Sequence, residues 1–151
     1  MTAFKVERTP ALGAVEAWRR LTDWPSQASR VPLTRMHVRT PGPTRVGTVI
    51  VARTGVGPVG FDDPMEIVVW CPPDGGGAGR CRLEKRGRTV KGWAEIRVRE
   101  DGAGVTRVSW VEDLRVAFLP HLFDGVTADA GRLMFGREVD HLLSAGRTRQ
   151  T

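Results

Sequence analysis

From residue 33 to residue 118 hydrophobic and polar residues mostly alternate with period two, and near the two ends they recur every three or four residues. Period two places successive side chains on opposite faces of a strand, and the longer period places them along one side of a helix. Ala3 to Arg8 is the first half-buried strand, with Phe4 and Val6 set against Lys5 and Glu7. Thr9 then offers an N-cap oxygen and Pro10 suits a first helical position, so the spacing of Leu12, Val15, Trp18 and Leu21 predicts a helix over residues 10–22. Pro25 to Arg30 has room for one short second helix before Pro32.

Strands follow at residues 33–40, 45–54, 61–71, 80–86, 89–99 and 105–118, with Pro41-Gly42-Pro43, Pro72-Pro73, Gly87 and Asp101-Gly102 as punctuation. Residues 127–145 are then predicted as a long helix. Ala128, Gly131, Phe135, Val139 and Leu142 mark its apolar side, Leu133, Met134 and Leu143 widen it, and Arg132, Arg137, Glu138 and Asp140 fall mostly elsewhere. The reading is an α+β chain in which about seven antiparallel strands curve around one carboxyl-terminal helix, with two short helices after the first strand. A helix laid into a bent sheet leaves apolar volume at its ends, which is a natural place for a ligand.

Composition changes this picture little. The 151 residues suit one domain over residues 1–151, with 147–151 as a polar tail. No apolar run is long enough to cross a bilayer and the start lacks a signal-peptide core, so the expected location is cytoplasmic. The net charge of +6 raises an alternative, a basic module for RNA or an acidic protein. The basic residues are nearly all Arg and scattered, and no basic strand carries paired aromatics for stacking, so nucleic acid is not the expected partner. Composition does not address oligomeric state. Cys71 and Cys81 have no metal-type spacing and read as free buried thiols on neighbouring strands rather than a disulfide.

Several stretches then point the same way: Ala17-Trp18, Leu21-Thr22-Asp23-Trp24-Pro25, Val46-Gly47-Thr48, Gly60 to Glu66, Gly92-Trp93-Ala94-Glu95 and Trp110 to Leu114. With the order of elements, they resemble the START-like (SRPBCC) superfamily in its polyketide cyclase/dehydrase branch, over nearly the whole chain. The resemblance implies a helix-grip fold with a deep hydrophobic cavity between the sheet and the last helix. It implies binding of a small hydrophobic molecule such as a lipid or polyketide, or cyclisation or dehydration of a bound polyketide.

Candidate chemistry comes from strand parity. Trp110 and Glu112 share the face of Val108, Leu114 and Val116, and Lys85 shares that of Cys81 and Leu83. A carboxylate on an apolar face must be paired, protonated or wet. Lys85 and Glu112 are therefore a candidate catalytic pair in the cavity wall, with His121 as a further acid/base candidate. The bland alternative is that both side chains lie near strand ends and reach water.

Glu66, Trp70, Leu83, Trp93, Trp110, Leu114, Phe123, Met134 and Phe135 are the candidate ligand contacts; Trp70 and Trp93 read equally as core or rim packing, and Ile67, Val68 and Val69, apolar on both parities, leave the face of Glu66 open. Trp93 is out of phase with Ala94, Ile96 and Val98, and a bulge near Gly92 is needed to turn it inward. The loop holding His121 and Phe123 reads as either a lid or a packed connection. Gly55, Gly57 and Gly60 spell GxGxxG, but Pro58 interrupts it and no helix follows, so it reads as a strand connection. The three histidines are too dispersed for a metal triad, and neither a metal nor a cofactor is expected.

Overall fold

A computed structural model describes residues 3–27, 33–74, 77–116 and 124–144; within the last range the side chains of 124–128 and 131 are not described. The strands are β1 Ala3–Arg8, β2 Thr34–Val38, β3 Val49–Val56, β4 Val59–Cys71, β5 Gly79–Lys85, β6 Val90–Glu100 and β7 Thr106–Val116. They form one antiparallel sheet in the order β1-β7-β6-β5-β4-β3-β2. Each of β2 to β7 pairs with the strand before or after it, as consecutive hairpins dictate, while β1 closes against β7 at the far edge. Helix α1, Ala14–Leu21, and a 3₁₀ turn, Trp24–Ser26, fill the connection between the two edge strands. Helix α2, Asp124–Ser144, packs on β1 and α1. This is the expected α+β arrangement.

The helix after β1 starts later than the spacing predicts. Its N-cap is Gly13, in extended conformation and without a side-chain cap bond, so neither the Thr9 cap nor the Pro10 start is used. From Ala14 the buried positions Ala14, Ala17, Trp18 and Leu21 fall at i, i+3, i+4 and i+7, whereas Val15 is 60 % exposed. Tertiary burial of the two-alanine face outweighs the local signal at Thr9-Pro10. The second helical segment is only the Trp24–Ser26 turn: Gln27 is already extended, its amide donating to Leu21 O, and residues 28–32 lie outside the described set.

In α2 the inward face is again an i, i+3, i+4, i+7 set, the partly buried Phe135 and the buried Glu138, Val139 and Leu142, with Leu143 beside it. Leu133 is 58 % exposed and does not widen this face, and Glu138, expected elsewhere, is 1 % exposed within it. Phe135 is held between Phe4 and Trp110, at centroid distances of 5.5 and 5.7 Å. The Arg8 guanidinium donates to Asp140 Oδ1 at 2.6 Å, and Arg20 donates to Leu143 O at 2.9 Å, satisfying a carbonyl in the last turn. These bonds fix α2 against β1 and α1 at its carboxyl-terminal half.

Glycine is required where backbones touch. A Cβ on Gly55 or Gly60 would lie 2.3 or 2.4 Å from a carbonyl of the opposing strand, so the GxGxxG segment is the β3–β4 hairpin. Among the described residues no helix is long and apolar enough to cross a membrane. Cys71 and Cys81 are free; Cys81 is buried as expected, but Cys71 is exposed, at the end of β4. The 147–151 tail lies outside the described residues, as do Ala117, Phe118 and Ala145 of the predicted elements.

Candidate functional site

Between the inner face of the sheet and α2 lies a cavity of about 220 Å³ to which each of strands β2 to β7 contributes. Its wall is largely apolar: Met36, Ala52, Met65, Leu83, Trp110 and Leu114 from the sheet face Met134 and Phe135 from α2. Burial of such a surface around one internal space follows from strand parity, because each inward position alternates with an outward one.

One end of the cavity is ionic. Lys85 Nζ lies 3.2 Å from Glu112 Oε1 and 2.6 Å from Asp63 Oδ2, with Met65 Sδ at 3.6 Å. The side chains of Lys85 and Glu112 are each 4 % exposed. Trp110 Nε1 donates to Glu112 Oε2 at 3.2 Å. Register explains how the ions meet across three strands. Ala94 of β6 is opposite both Leu83 of β5 and Glu112 of β7, so only a methyl group stands between them, and Lys85 is two residues beyond Leu83. On its other side Lys85 is opposite Met65, two residues from Asp63. Burial alone would lower the pKa of Lys85, but the Glu112 and Asp63 carboxylates outweigh it and raise that pKa above the ordinary lysine value.

The cavity thus brings together Lys85 and Glu112 with Leu83, Trp110, Leu114, Met134 and Phe135 among the residues singled out from the sequence. Three others are elsewhere. Glu66 is on the outer face, where it accepts from Arg86 Nε at 3.0 Å. Trp70 faces inward but packs on Trp18 and Trp24, with centroids 5.1 and 6.5 Å away, in the core rather than at the cavity. Glu66 is outward because it alternates with the inward Met65 and Ile67, and a bulge between Ile67 and Val69 then shifts the phase of β4 so that Trp70 faces inward. Trp93 stays on the outer face with the Arg82 guanidinium 4.2 Å over its ring, because the β6–β7 register runs without interruption through Gly92. Gly92 has another role: at φ +128 a Cβ there would strike Asp113 O at 1.7 Å. His121 and Phe123 lie outside the described residues.

The sequence reading missed Asp63 and Glu138, which both border the cavity. Asp63 has the same parity as Met65 and Ile67, a usable signal hidden by Pro64. Glu138 is three residues beyond Phe135 on the same helix face.

No protein-family profile matches the sequence, and no characterised protein matches it by sequence. Solved structures do match the fold. TTHA0849 from Thermus thermophilus has a TM-score of 0.62 at 14% identity, over 94% of this chain and 92% of that one. The Zhui aromatase/cyclase from Streptomyces sp. R1128 has a TM-score of 0.53 at 17% identity, over 95% and 87%. A Thalictrum flavum norcoclaurine synthase point mutant, in complex with a transition-state analogue, has a TM-score of 0.57 at 14% identity, over 97% and 96%. The chain therefore has the helix-grip fold of the START-like (SRPBCC) proteins.

Proposed function

We propose that the protein binds a small hydrophobic molecule in the cavity between the sheet and α2. The observation carrying this reading is a largely apolar space of about 220 Å³ lined by six strands and a helix. An apolar protein cavity of roughly 150 Å³ takes up benzene, so one or two rings, or a short chain, match the space. Native mass spectrometry of protein purified from its own host tests the reading: a co-purifying apolar adduct is expected. Bare protein that also fails to take up an apolar dye contradicts it.

Lys85, Asp63 and Glu112 support a second reading, a cyclase or dehydratase, since a buried ammonium between two carboxylates is a proton relay as well as an anchor. Its raised pKa keeps Lys85 protonated, which argues against a nucleophilic amine and leaves it a fixed positive charge beside the two carboxylates. Glu112→Gln separates the readings. A carrier keeps its affinity within about threefold; an enzyme loses turnover while the ligand still binds. His121 enters this second reading only as a candidate acid/base group.

A further inference from the structure

A hydrogen-bond inventory of the ionic end narrows what the cavity accepts. An ammonium has three N–H donors. Those of Lys85 have three neighbours within reach: Asp63 Oδ2 at 2.6 Å, Glu112 Oε1 at 3.2 Å and, more weakly, Met65 Sδ at 3.6 Å. The indole N–H of Trp110 is committed to Glu112 Oε2. The donors of this end are therefore engaged. Acceptors are not: Asp63 Oδ1 is buried and has no hydrogen-bond partner among the described residues.

Charge tells the same story. Lys85 is the one cation among the described residues of the cavity wall, and it faces two carboxylates. Among the described residues, a ligand carboxylate placed here meets excess negative charge and an ammonium already turned toward Asp63, Glu112 and Met65. A ligand O–H or N–H meets a buried, unmatched acceptor in a largely apolar wall.

We infer that the cavity selects an apolar molecule with a hydrogen-bond-donating head, an alcohol, phenol or amine, which Asp63 receives, and that it discriminates against fatty acids and other apolar carboxylates. This inference rests on the cavity being a ligand site. It places Asp63 as the specificity-determining residue. Lys85 holds Asp63 in place through Oδ2 and is not itself the ligand's partner.

The test is calorimetric titration of the whole chain with three probes sharing one apolar body: 2-naphthol, 2-naphthylmethylamine and 2-naphthoic acid. At least one donor probe is expected to bind about tenfold or more tighter than the acid. The difference between alcohol and amine then reports whether the head is neutral or cationic. In Asp63→Asn the Lys85 ammonium still demands an oxygen, so the amide turns its N–H₂ to where Oδ1 was; the acid is then expected to gain and the donors to lose.

Equal or tighter binding of the acid to the unaltered protein overturns the inference and leaves the cavity a ligand site. Failure of all three probes overturns both. A folded Asp63→Asn protein with an unchanged preference order also overturns the role given to Asp63. If that variant does not fold, the head-group comparison in the unaltered protein decides alone.

Discussion

The sheet carries an ion cluster on each face, and the two are opposites. Inside, one ammonium, Lys85, faces two carboxylates, Asp63 and Glu112. Outside, one carboxylate, Glu95, faces three guanidiniums: Arg80 at 3.1 Å, Arg82 at 3.4 Å and Arg97 as a close partner. The outer cations keep water, being 28 % to 62 % exposed, and the cluster spreads one charge over long, hydrated side chains. The inner ions, only 4 % to 12 % exposed, are largely withdrawn from solvent and pair with each other. Buried ion pairs rarely add net stability over apolar side chains of the same volume, whereas removing one partner is costly. The outer cluster is thus the ordinary consequence of an Arg-rich sheet face, and the inner one asks for a reason beyond stability. The proposed ligand supplies it.

The largest expected effect comes from breaking the inner cluster on one side only. Lys85→Met strands two buried carboxylates and should cost about 3–5 kcal/mol in urea unfolding. Replacing Lys85, Asp63 and Glu112 together with apolar residues should recover most of that loss while ending head-group discrimination. A triple variant as unstable as the single one would show that the cluster is a structural keystone.

The alkaline limb comes next. The folded pKa of Lys85 is raised above its unfolded value, so the cluster's contribution is fully present below about pH 10.4 and lost as pH rises through the folded pKa. Urea midpoints between pH 9 and 12 should therefore fall more steeply in the unaltered protein than in Lys85→Met. Equal slopes would remove the linkage. Cys81 acts in the same direction in both proteins, because burial, with a smaller contribution from Glu95, raises its thiol from 9.0 to about 12.

Thiol chemistry draws the same inner and outer contrast. Cys81 is buried and its thiolate strongly disfavoured, while Cys71 is exposed, so iodoacetamide at pH 8 should label Cys71 rapidly and spare Cys81 in folded protein. Equal labelling rates would mean that the β4–β5 region opens readily.

The smallest effect belongs to the outer cluster. Arg97→Gln should cost less than about 1 kcal/mol and depend on salt. Burial pushes the Glu95 pKa up, but Arg80 and Arg97 outweigh it and hold it below the ordinary carboxylate value. Its contribution is thus present above the unfolded pKa and lost as pH falls through the folded one. An acid-side loss that survives Glu95→Gln would have another source.

How much of this was legible in the sequence depends on whether a strand keeps its phase. In β5 and β7 alternation is unbroken, and parity alone put Lys85, Leu83, Trp110, Glu112 and Leu114 on one face. In β4 the bulge after Ile67 reverses the phase. Glu66, before it, faces outward, whereas Trp70, after it, turns inward to pack on Trp18 and Trp24; Asp63, inward by the same parity as Met65, is hidden in the sequence by Pro64. Trp93 shows the converse error. Its out-of-phase position was the correct signal, and the supposed bulge at Gly92 does not occur.

Helix faces were legible where large side chains mark them, as at Phe135, Val139 and Leu142. They were not where Ala14 and Ala17 define the face or where the buried residue is Glu138. Small and charged residues carry no hydrophobic signature, and only the partner surface decides whether they face inward.

The claim on which all of this turns is that the space beside α2 receives the ligand. Ala52 lines that space and is opposite Asp63 in the β3–β4 register, so Ala52→Phe fills the cavity next to its ionic end. Titration of 2-naphthol into the unaltered protein and into this variant measures the claim directly. The account predicts saturable one-site binding in the first and at least about tenfold weaker binding in the second, with the melting temperature unchanged or raised. Equal affinity in the two proteins would contradict it.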